Sequence, residues 1–416
     1  MKKFNELLLK IKANYNLIKL FNEIRKNGPI RKSRAGLNLP VSKPTRYALM
    51  KELLDENIVV ETITTQDGKH RRTTVIDVII DHFYSLGIDI HMEGIDLKLM
   101  NLKSNIKEHL FIPNEIDRKK NISKDSRSVI IERIQNGLKK IIDDSEVNPE
   151  DIIAFGISDA GMIDSKERVS IFNPYIPEWV DVPIGNIINR IIQVPVFLMR
   201  DSNLMAIAEI RSLGLKKIND LLCISLRQGI GLGIFINGQL YIGQTGNAGE
   251  WSQTNVFTAQ KKDCGPGQKG GLDILLGLKS IMNLCSEMLN SREGNKLFER
   301  VGRVEDLSAK IVFQEYENGN EKIVSALNRY IETLGNQMAN LVCIFDTGHF
   351  ILAGKFVYCG EHFIQQLTNN VKGHLHSIPY QNIKIIKGKL GVKAASWGAA
   401  YMAQEMLFNP KQQILS

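Results

Sequence analysis

The chain has 416 residues, of which 43% are hydrophobic and 24% charged, a balance typical of soluble globular proteins. Its apolar runs are all shorter than the roughly 18 residues that a membrane helix needs, and its first residues are too polar for a secretory signal. Five scattered cysteines exclude a disulfide framework and indicate a reducing compartment. We therefore expect a cytoplasmic protein of two or three domains without a membrane partner.

The positive charge is concentrated at the start of the chain. Residues 1–80 contain 16 Lys and Arg against 8 Asp and Glu, whereas the remaining residues contain 37 of each kind. A segregated basic segment of this kind is typical of a nucleic-acid-binding module.

The order of predicted helices in this segment is that of a winged helix-turn-helix domain, which we assign to residues 1–80. Apolar residues at helical spacing predict a first helix over 17–24, and a short second helix is expected over 33–38. The third begins with Ser42 as N-cap, has a proline in its first turn, and runs to Leu54. In such domains the start of the third helix enters the major groove of DNA.

Two alternating segments, 59–63 and 73–78, predict a two-stranded wing with a basic tip. The wing would hold backbone phosphates or the minor groove, while the third helix would contact base edges or phosphates. The alternative is a solvated basic face on a three-helix protein-interaction module. The candidate DNA contacts are Ser42, Lys43, Thr45 and Arg46 on the helix and Lys69, His70, Arg71 and Arg72 at the wing.

The stretch from Leu221 to Asp273 organises the rest of the chain. Two alternating runs, 222–226 and 230–236, predict strands with one buried face, and glycines within them allow a close approach to the backbone. Asn237-Gly238 is a strong signal for a two-residue hairpin, so antiparallel strands are expected here. A small-residue turn then ends in the lone carboxylate of Glu250.

This stretch resembles the ROK family of sugar kinases and sugar-responsive repressors, which have an actin-like ATPase fold. The resemblance implies an α/β body of two lobes behind the winged helix, with the first lobe over 81–200 and the second over 201–416. The last helix of such a body returns to the first lobe. Within the second lobe we expect strands over 343–345 and 350–352.

The resemblance also assigns a carbohydrate site. The segment Arg200-Asp201-Ser202-Asn203 is similar to the family's Asn-Asp-Ala-Asn, whose Asp deprotonates the sugar hydroxyl that attacks ATP. Asp201 is then a catalyst, a sugar-binding acceptor or a helix N-cap, and the three alternatives remain open. The candidate effector-binding residues are Asn173, Asp201, Asn203, Glu250, Gln253 and Asp273.

The chain departs from the family at its nucleotide and zinc motifs. Arg227-Gln228 replaces the Gly-Thr of one phosphate loop, bulky residues at 91–93 replace the glycines of the other, and Lys355 interrupts the adenosine turn. Bulky side chains and a carboxylate oppose the wrapping of backbone amides around a phosphate. Of the four zinc ligands only Cys264 remains, since Gln253, Pro266 and Gly271 stand at the other positions. We therefore expect no cofactor and no metal.

These observations predict a transcriptional regulator, most simply a repressor of carbohydrate-utilisation genes, that binds a double-stranded DNA operator and a sugar or sugar-derivative effector. A homodimer or homotetramer is expected because operators of this kind have two half-sites. One alternative is an ATP-dependent sugar kinase with an added DNA-binding domain, in which Asp201 is catalytic. A second alternative is a DNA-bound scaffold that ignores ligands.

Overall fold

The structure is a computed structural model. None of the helices in the described part of the chain combines the length and apolar character that crossing a bilayer requires. The structure describes residues 8–9, 11–66, 69–117, 122–215, 218–255, 271–289, 307–375 and 382–408, with only the backbone of 65–66, 69–71 and 289.

The first domain, which we call the head, contains two helices with both ends among the described residues and a three-stranded antiparallel sheet of order β1-β3-β2, and the described residues before Asn14 are also helical. Asn14 caps the first helix and Ser42 the second through side-chain oxygens. Leu20, Ile24 and Leu53 are buried between the helices and the sheet. The elements are α1 (Tyr15–Asn27), β1 (Ile30–Arg31), α2 (Lys43–Asp55), β2 (Val59–Gln66) and β3 (Lys69–Val78).

The expected short helix over 33–38 is wrong. Residues 32–38 form consecutive turns, and Gly36 has a left-handed backbone with φ of +73°. A side chain at position 36 would collide with Leu20 and Arg46, at about 3.0 Å from each. The turns therefore replace a regular helix because the chain bends closely over α1 and α2 at Gly36.

The first lobe of the body is a five-stranded sheet of order β13-β9-β4-β5-β6 with helices packed on it. Strands β4, β9 and β13 are parallel, and β5 and β6 continue antiparallel from β4. The elements are β4 (Tyr84–His91), β5 (Gly94–Asn101), β6 (Ile106–Pro113), β7 (Ile116–Asp117), β8 (Ile122–Ser123), α3 (Arg127–Ser145), β9 (Ile152–Asp159), β10 (Met162–Asp164), β11 (Val169–Phe172), β12 (Val180–Val182), α4 (Ile184–Asn189) and β13 (Val196–Arg200).

The second lobe repeats this arrangement with sheet order β16-β15-β14-β17-β18. Again an antiparallel three-strand run continues into two parallel strands, so the first hairpin turn of each lobe occupies an equivalent place. The elements are α5 (Asp201–Ser212), β14 (Leu221–Leu226), β15 (Ile230–Ile236), β16 (Gln239–Leu240), α6 (Asp273–Leu276), α7 (Leu278–Leu289), α8 (Ala309–Glu317), α9 (Glu321–Phe345), β17 (His349–Gly354), α10 (Glu361–Gly373) and β18 (Lys384–Lys387). They are followed by α11 (Ala394–Phe408), which returns to the first lobe.

The connections differ from expectation in two places. Strands β14 and β15 are antiparallel as predicted, but the turn that joins them is Arg227–Gly229, while Asn237-Gly238 joins β15 to β16. The expected strand over 343–345 is wrong, because α9 continues to Phe345 and ends at Asp346 in a left-handed conformation. Its buried Leu341 and Val342 continue the helical spacing of the preceding turns, which holds the segment in the helix.

The closing helix α11 lies against the first sheet and α5. Glycines make this close approach possible, since a Cβ at Gly87 would lie 2.2 Å from the Ser396 carbonyl and one at Gly156 would lie 2.0 Å from the Ala399 carbonyl. The far end of α11 holds the head. Arg25 is buried and pairs with Glu405 and Gln404, and the Asn22 amide donates to the Phe408 carbonyl at 2.8 Å.

Candidate functional site

A cavity of about 320 Å³ lies between the two lobes where their hairpin turns meet. The turn after β4, the start of α5, the turn after β14 and the segment around Glu250 form its walls. Ligand sites in two-lobed folds commonly occupy such a crevice. The polar side chains on the wall are His91, Glu93, Tyr175, Arg200, Asp201, Ser225, Arg227, Gln228, Glu250, Ser252, Gln253, Asp273 and Lys355.

Asp201 occupies the first position of α5 and lines the cavity. One carboxylate oxygen accepts from the Ser202 amide at 2.6 Å, and the other accepts from the Arg227 guanidinium at 3.2 Å. Burial raises the pKa of Asp201, while Arg227 acts in the opposite direction. Asp201 is therefore a polar group on the cavity wall whose carboxylate also accepts from the first turn of its own helix, whereas the N-cap position is Arg200.

Glu250 and Gln253 form a second polar group on the wall. Arg200 contacts one Glu250 oxygen at 2.8 Å, and the Gln253 side-chain amide donates to the other at 2.8 Å. Arg200 also donates to the Ala248 carbonyl at 3.0 Å, which fixes the turn before Glu250. Burial raises the pKa of Glu250, and Arg200 opposes the rise.

Asp273 completes the carboxylates on this side. It accepts from the Ile230 amide at 2.9 Å, and burial raises its pKa to about 6. Gly229 lets the turn approach, since a Cβ there would lie 2.6 Å from both Asp273 Oδ1 and the Tyr175 hydroxyl. A single added methyl group would therefore disturb both polar groups.

Asn173 and Asn203 do not line the cavity, contrary to expectation. Asn173 is fully buried and donates to Asp159 at 3.0 Å, while its oxygen accepts from the Tyr175 amide at 3.1 Å. It thus braces the loop that presents Tyr175. Asn203 is also fully buried, and neither of its amide atoms has a hydrogen-bond partner among the described residues.

The other half of the cavity contains ion pairs that join the lobes. The Arg227 guanidinium forms two hydrogen bonds to Asp89, at 2.7 and 3.1 Å, in addition to the one to Asp201. Ser158 donates to the same Asp89 at 2.7 Å. Burial would raise the pKa of Asp89, but the interactions with Arg227, His91 and Ser158 together hold that pKa below its usual range.

A second bridge lies beside it. The Lys355 ammonium contacts Glu93 at 2.6 Å, and the Gln228 amide donates to the same carboxylate oxygen at 3.1 Å. Burial would raise the pKa of Glu93, but the charge and hydrogen bond of Lys355, together with His91 and Arg227, lower that pKa. These side chains occupy the turns in which the family resemblance predicts phosphate loops, and a carboxylate there opposes an anion.

The sequence predicts no role for Arg200 or Tyr175. It shows Arg227 and Lys355 only as departures from the family motifs. These departures are the available signal, since a long cation stands where the family motif has a glycine or another small residue. What they contact could not be deduced, because Asp89 and Arg227 are 138 positions apart.

The zinc motif cannot be followed to its end, because Cys264 and Pro266 lie in 256–270, outside the described residues. The described part contributes Gln253, whose amide is bound to Glu250, and Gly271, which pairs with Asn255 in an isolated bridge. No cluster of three potential metal ligands occurs among the described residues. The absence of zinc remains a prediction.

The head presents part of its predicted contact surface. Ser42, Lys43 and Thr45 are exposed at the start of α2, and Arg72 is exposed on β3. The side chains of Lys69, His70 and Arg71 lie outside the described residues, although their backbone belongs to β3. The surface therefore combines a helix start with one flank of a basic wing.

Arg46 does not face outward, contrary to expectation. It is only 7% exposed and lies close to Gly36, where Leu20 also packs. The reason is its place on α2, because positions 46, 49 or 50 and 53 share one face of a helix, and Leu49, Met50 and Leu53 are buried. The same periodicity in the sequence could have identified it.

Comparison with known proteins identifies the family of the body and finds relatives that cover the head as well. Residues 86–406 match the sequence model of the ROK family. The xylose repressor of Caldicellulosiruptor bescii is 24% identical over 96% of this chain and 99% of its own. Among solved structures, a ROK family transcriptional regulator described as a homologue of the E. coli MLC protein matches 94% of this chain and 96% of its own, with a TM-score of 0.76 and 18% identity.

A kinase gives a shorter match. The ROK family glucokinase from Streptomyces griseus, in complex with glucose and AMPPNP, matches 77% of this chain and 99% of its own, with a TM-score of 0.67 and 22% identity. The repressor and regulator span nearly the whole chain, whereas the kinase leaves about a quarter of this chain unmatched.

Proposed function

This chain belongs to the ROK family, and on that premise we propose that it is a DNA-binding transcriptional repressor whose body senses a carbohydrate. The observation that carries the proposal is the combination of a basic head with a cleft that presents hydroxyl-binding groups but no open phosphate site. The xylose repressor relative supports it, since that protein matches over the head as well as the body. We place the protein in the cytoplasm, where its operator DNA would be.

The DNA-binding part rests on the exposed start of α2. Ser42 and Thr45 share a hydroxyl contact of 2.8 Å, and Lys43 projects beside them. Hydroxyls and a lysine at a helix start can donate to phosphates and base edges in the major groove. The wing adds positive charge, which favours binding to the phosphates of DNA of any sequence.

The effector is a carbohydrate bound between Asp201, Glu250, Gln253 and Asp273. Carboxylates and amides suit polyols because each can accept or donate in pairs. Asp201 acts here as a hydroxyl acceptor rather than as a catalytic base, because its second oxygen is engaged by Arg227.

The effector can be coupled to the head through α11. Val392 lines the cavity directly before α11 begins, and Gln404 and Glu405 near its other end hold Arg25 of the head. A homodimer or homotetramer would place two heads on half-sites about 34 Å apart, so a small displacement of the heads would weaken operator binding. Effector and operator affinities would then be coupled reciprocally.

The test uses a duplex selected from a random pool by the purified full chain, followed by fluorescence anisotropy with and without sugars. We expect one sugar to weaken operator binding, and Lys43→Ala with Thr45→Ala to weaken it about tenfold at constant sugar affinity. Lys140→Ala, on the exposed face of α3, is the control for charge. Equal operator affinity with and without every sugar would remove the sensor from the proposal.

The second candidate is a sugar kinase with an added head, which the glucokinase match favours. Incubation with ATP, Mg²⁺ and a sugar panel separates the two, because a kinase releases ADP and loses that activity with Asp201→Asn. In the repressor, Asp201→Ala abolishes the sugar response and keeps operator binding. In a ligand-independent scaffold the same change leaves regulation as it was.

A further inference from the structure

The phosphate half of the cleft contains cations of the protein itself. Arg227 lies on the turn between β14 and β15 of the second lobe. Its guanidinium binds Asp89, which is the third residue from the end of β4 in the first lobe. Lys355 follows β17 of the second lobe and binds Glu93 in the first hairpin turn. Both bridges therefore cross from one lobe to the other at the point where a nucleotide would lie.

The burial of these groups makes their ion pairing necessary for the stability of the folded protein. The side chain of Asp89 is fully buried and that of Arg227 is 10% exposed. An unpaired buried charge is costly, so each of these groups requires the other to remain in place. The guanidinium also contacts Asp201, and it thereby orients the carboxylate that faces the other half of the cavity.

Each cation on the described cavity wall has a carboxylate partner. Arg200 pairs with Glu250, Arg227 with Asp89 and Asp201, and Lys355 with Glu93. An anionic ligand would therefore have to displace a carboxylate to reach a cation, and Asp273 adds a further acidic group. The cavity suits an uncharged ligand.

We propose that Arg227 and Lys355 are internal replacements for the nucleotide: they tie the two hairpin turns together, position Asp201, and restrict the cleft to uncharged carbohydrates. The ligand part rests on the proposed function, whereas the ion-pair part does not.

The ion-pair part predicts a specific dependence on pH. In Arg227→Gln, Asp89 and Asp201 face each other without the guanidinium, and a proton taken up by either carboxyl or by His91 would compensate for the lost cation. The native variant would then bind more protons than its unfolded chain, so its stability would fall as pH rises. The other charged and titratable groups around this cluster are Glu93, Lys98, Asp159, Tyr175, Arg200, Glu250 and Lys355.

The experiment measures melting temperature from pH 5 to pH 8 for the full chain. We expect the gap between wild type and Arg227→Gln to widen by roughly 3 °C or more over this range. Arg227→Lys should narrow the gap because it restores the charge. If Arg227→Gln does not fold, Lys355→Met provides the same comparison at the partly exposed Glu93, with a smaller widening. A gap that is constant with pH in both variants would overturn the ion-pair proposal.

Ligand measurements on wild type test the rest. Mg²⁺ with AMPPNP should leave the melting temperature unchanged, and a rise would overturn the replacement of the nucleotide. Glucose and xylose should be compared with glucose 6-phosphate, and stronger stabilisation by the phosphate ester would overturn the restriction to uncharged ligands. If no sugar stabilises the protein, the sensor proposal fails, while the pH comparison still decides the ion pairs.

Discussion

The two hairpin turns that face each other across the cleft occupy equivalent places in two lobes of the same topology, yet they carry opposite chemistry. The turn of the first lobe presents Glu93, next to Asp89 at the end of its strand, whereas the turn of the second presents Arg227 and Gln228. Complementary charges have thus been placed where two glycine-rich loops would both face an anion. A shared fold fixes where the turns meet, and the side chains decide whether a ligand or the protein itself fills the space between them.

The largest expected effect comes from removing the carboxylate of the first lobe that pairs with Arg227. Asp89→Ala leaves the buried Arg227 with only Asp201 as a partner, and we expect the unfolding free energy to fall by about 3–5 kcal/mol. Urea denaturation followed by tryptophan fluorescence measures it. Glu132→Ala, an exposed carboxylate on α3, is the control and should change stability by less than about 0.5 kcal/mol. A loss below about 1 kcal/mol for Asp89→Ala would contradict a buried ion pair.

The shape of the second turn is tested by Gly229→Ala. The added Cβ would lie 2.6 Å from Asp273 Oδ1 and from the Tyr175 hydroxyl, so these groups must move. We expect the variant to lose about 1–3 kcal/mol of unfolding free energy. Because Asp273 must move, sugar binding measured by calorimetry should also be weaker. Gly214→Ala is the matched control for a glycine with no atom near its Cβ position, although its φ of +67° adds local strain. Unchanged sugar affinity in Gly229→Ala would place the ligand away from Asp273.

The smallest expected effect concerns pH. With the pKa of Asp273 at about 6, sugar affinity should fall about twofold between pH 7.5 and pH 6 if the ionised carboxylate accepts a hydroxyl. The stability contribution has the opposite sign, since a raised carboxyl pKa makes the ligand-free protein less stable as pH rises from about 4 to 6. Isothermal titration with Asp273→Asn as control decides it. An identical pH profile for the variant would exclude Asp273 as the titrating group.

Local patterns predicted much of the fold. The alternation of apolar residues predicted the strands β14 and β15, and the capping residues predicted the start of α2. The excess of basic residues indicated a separate module at the start of the chain. The errors arose where tertiary packing competed with a local signal: Gly36 bends a predicted helix into turns, and the apolar spacing before Phe345 extends α9 over a predicted strand.

The candidate site was predictable only in part. Asp201, Glu250, Gln253 and Asp273 all line the cavity, because a short motif fixes its own local geometry. Asn173 does not line the cavity, because its side chain is used inside its own loop, where it supports Asp159 and Tyr175. Partners across the cleft depend on how two distant strands meet, and no local pattern encodes that distance.

The attachment of the head by α11 has a consequence for synthesis of the protein. Asn22 and Arg25 contact Phe408, Gln404 and Glu405, which are separated from them by 379 to 386 positions. The ribosome therefore releases an early DNA-reading domain long before its anchoring helix exists. Nascent chains carry that domain on a tether until α11 has been translated, and loss of α11 would leave the head without these contacts.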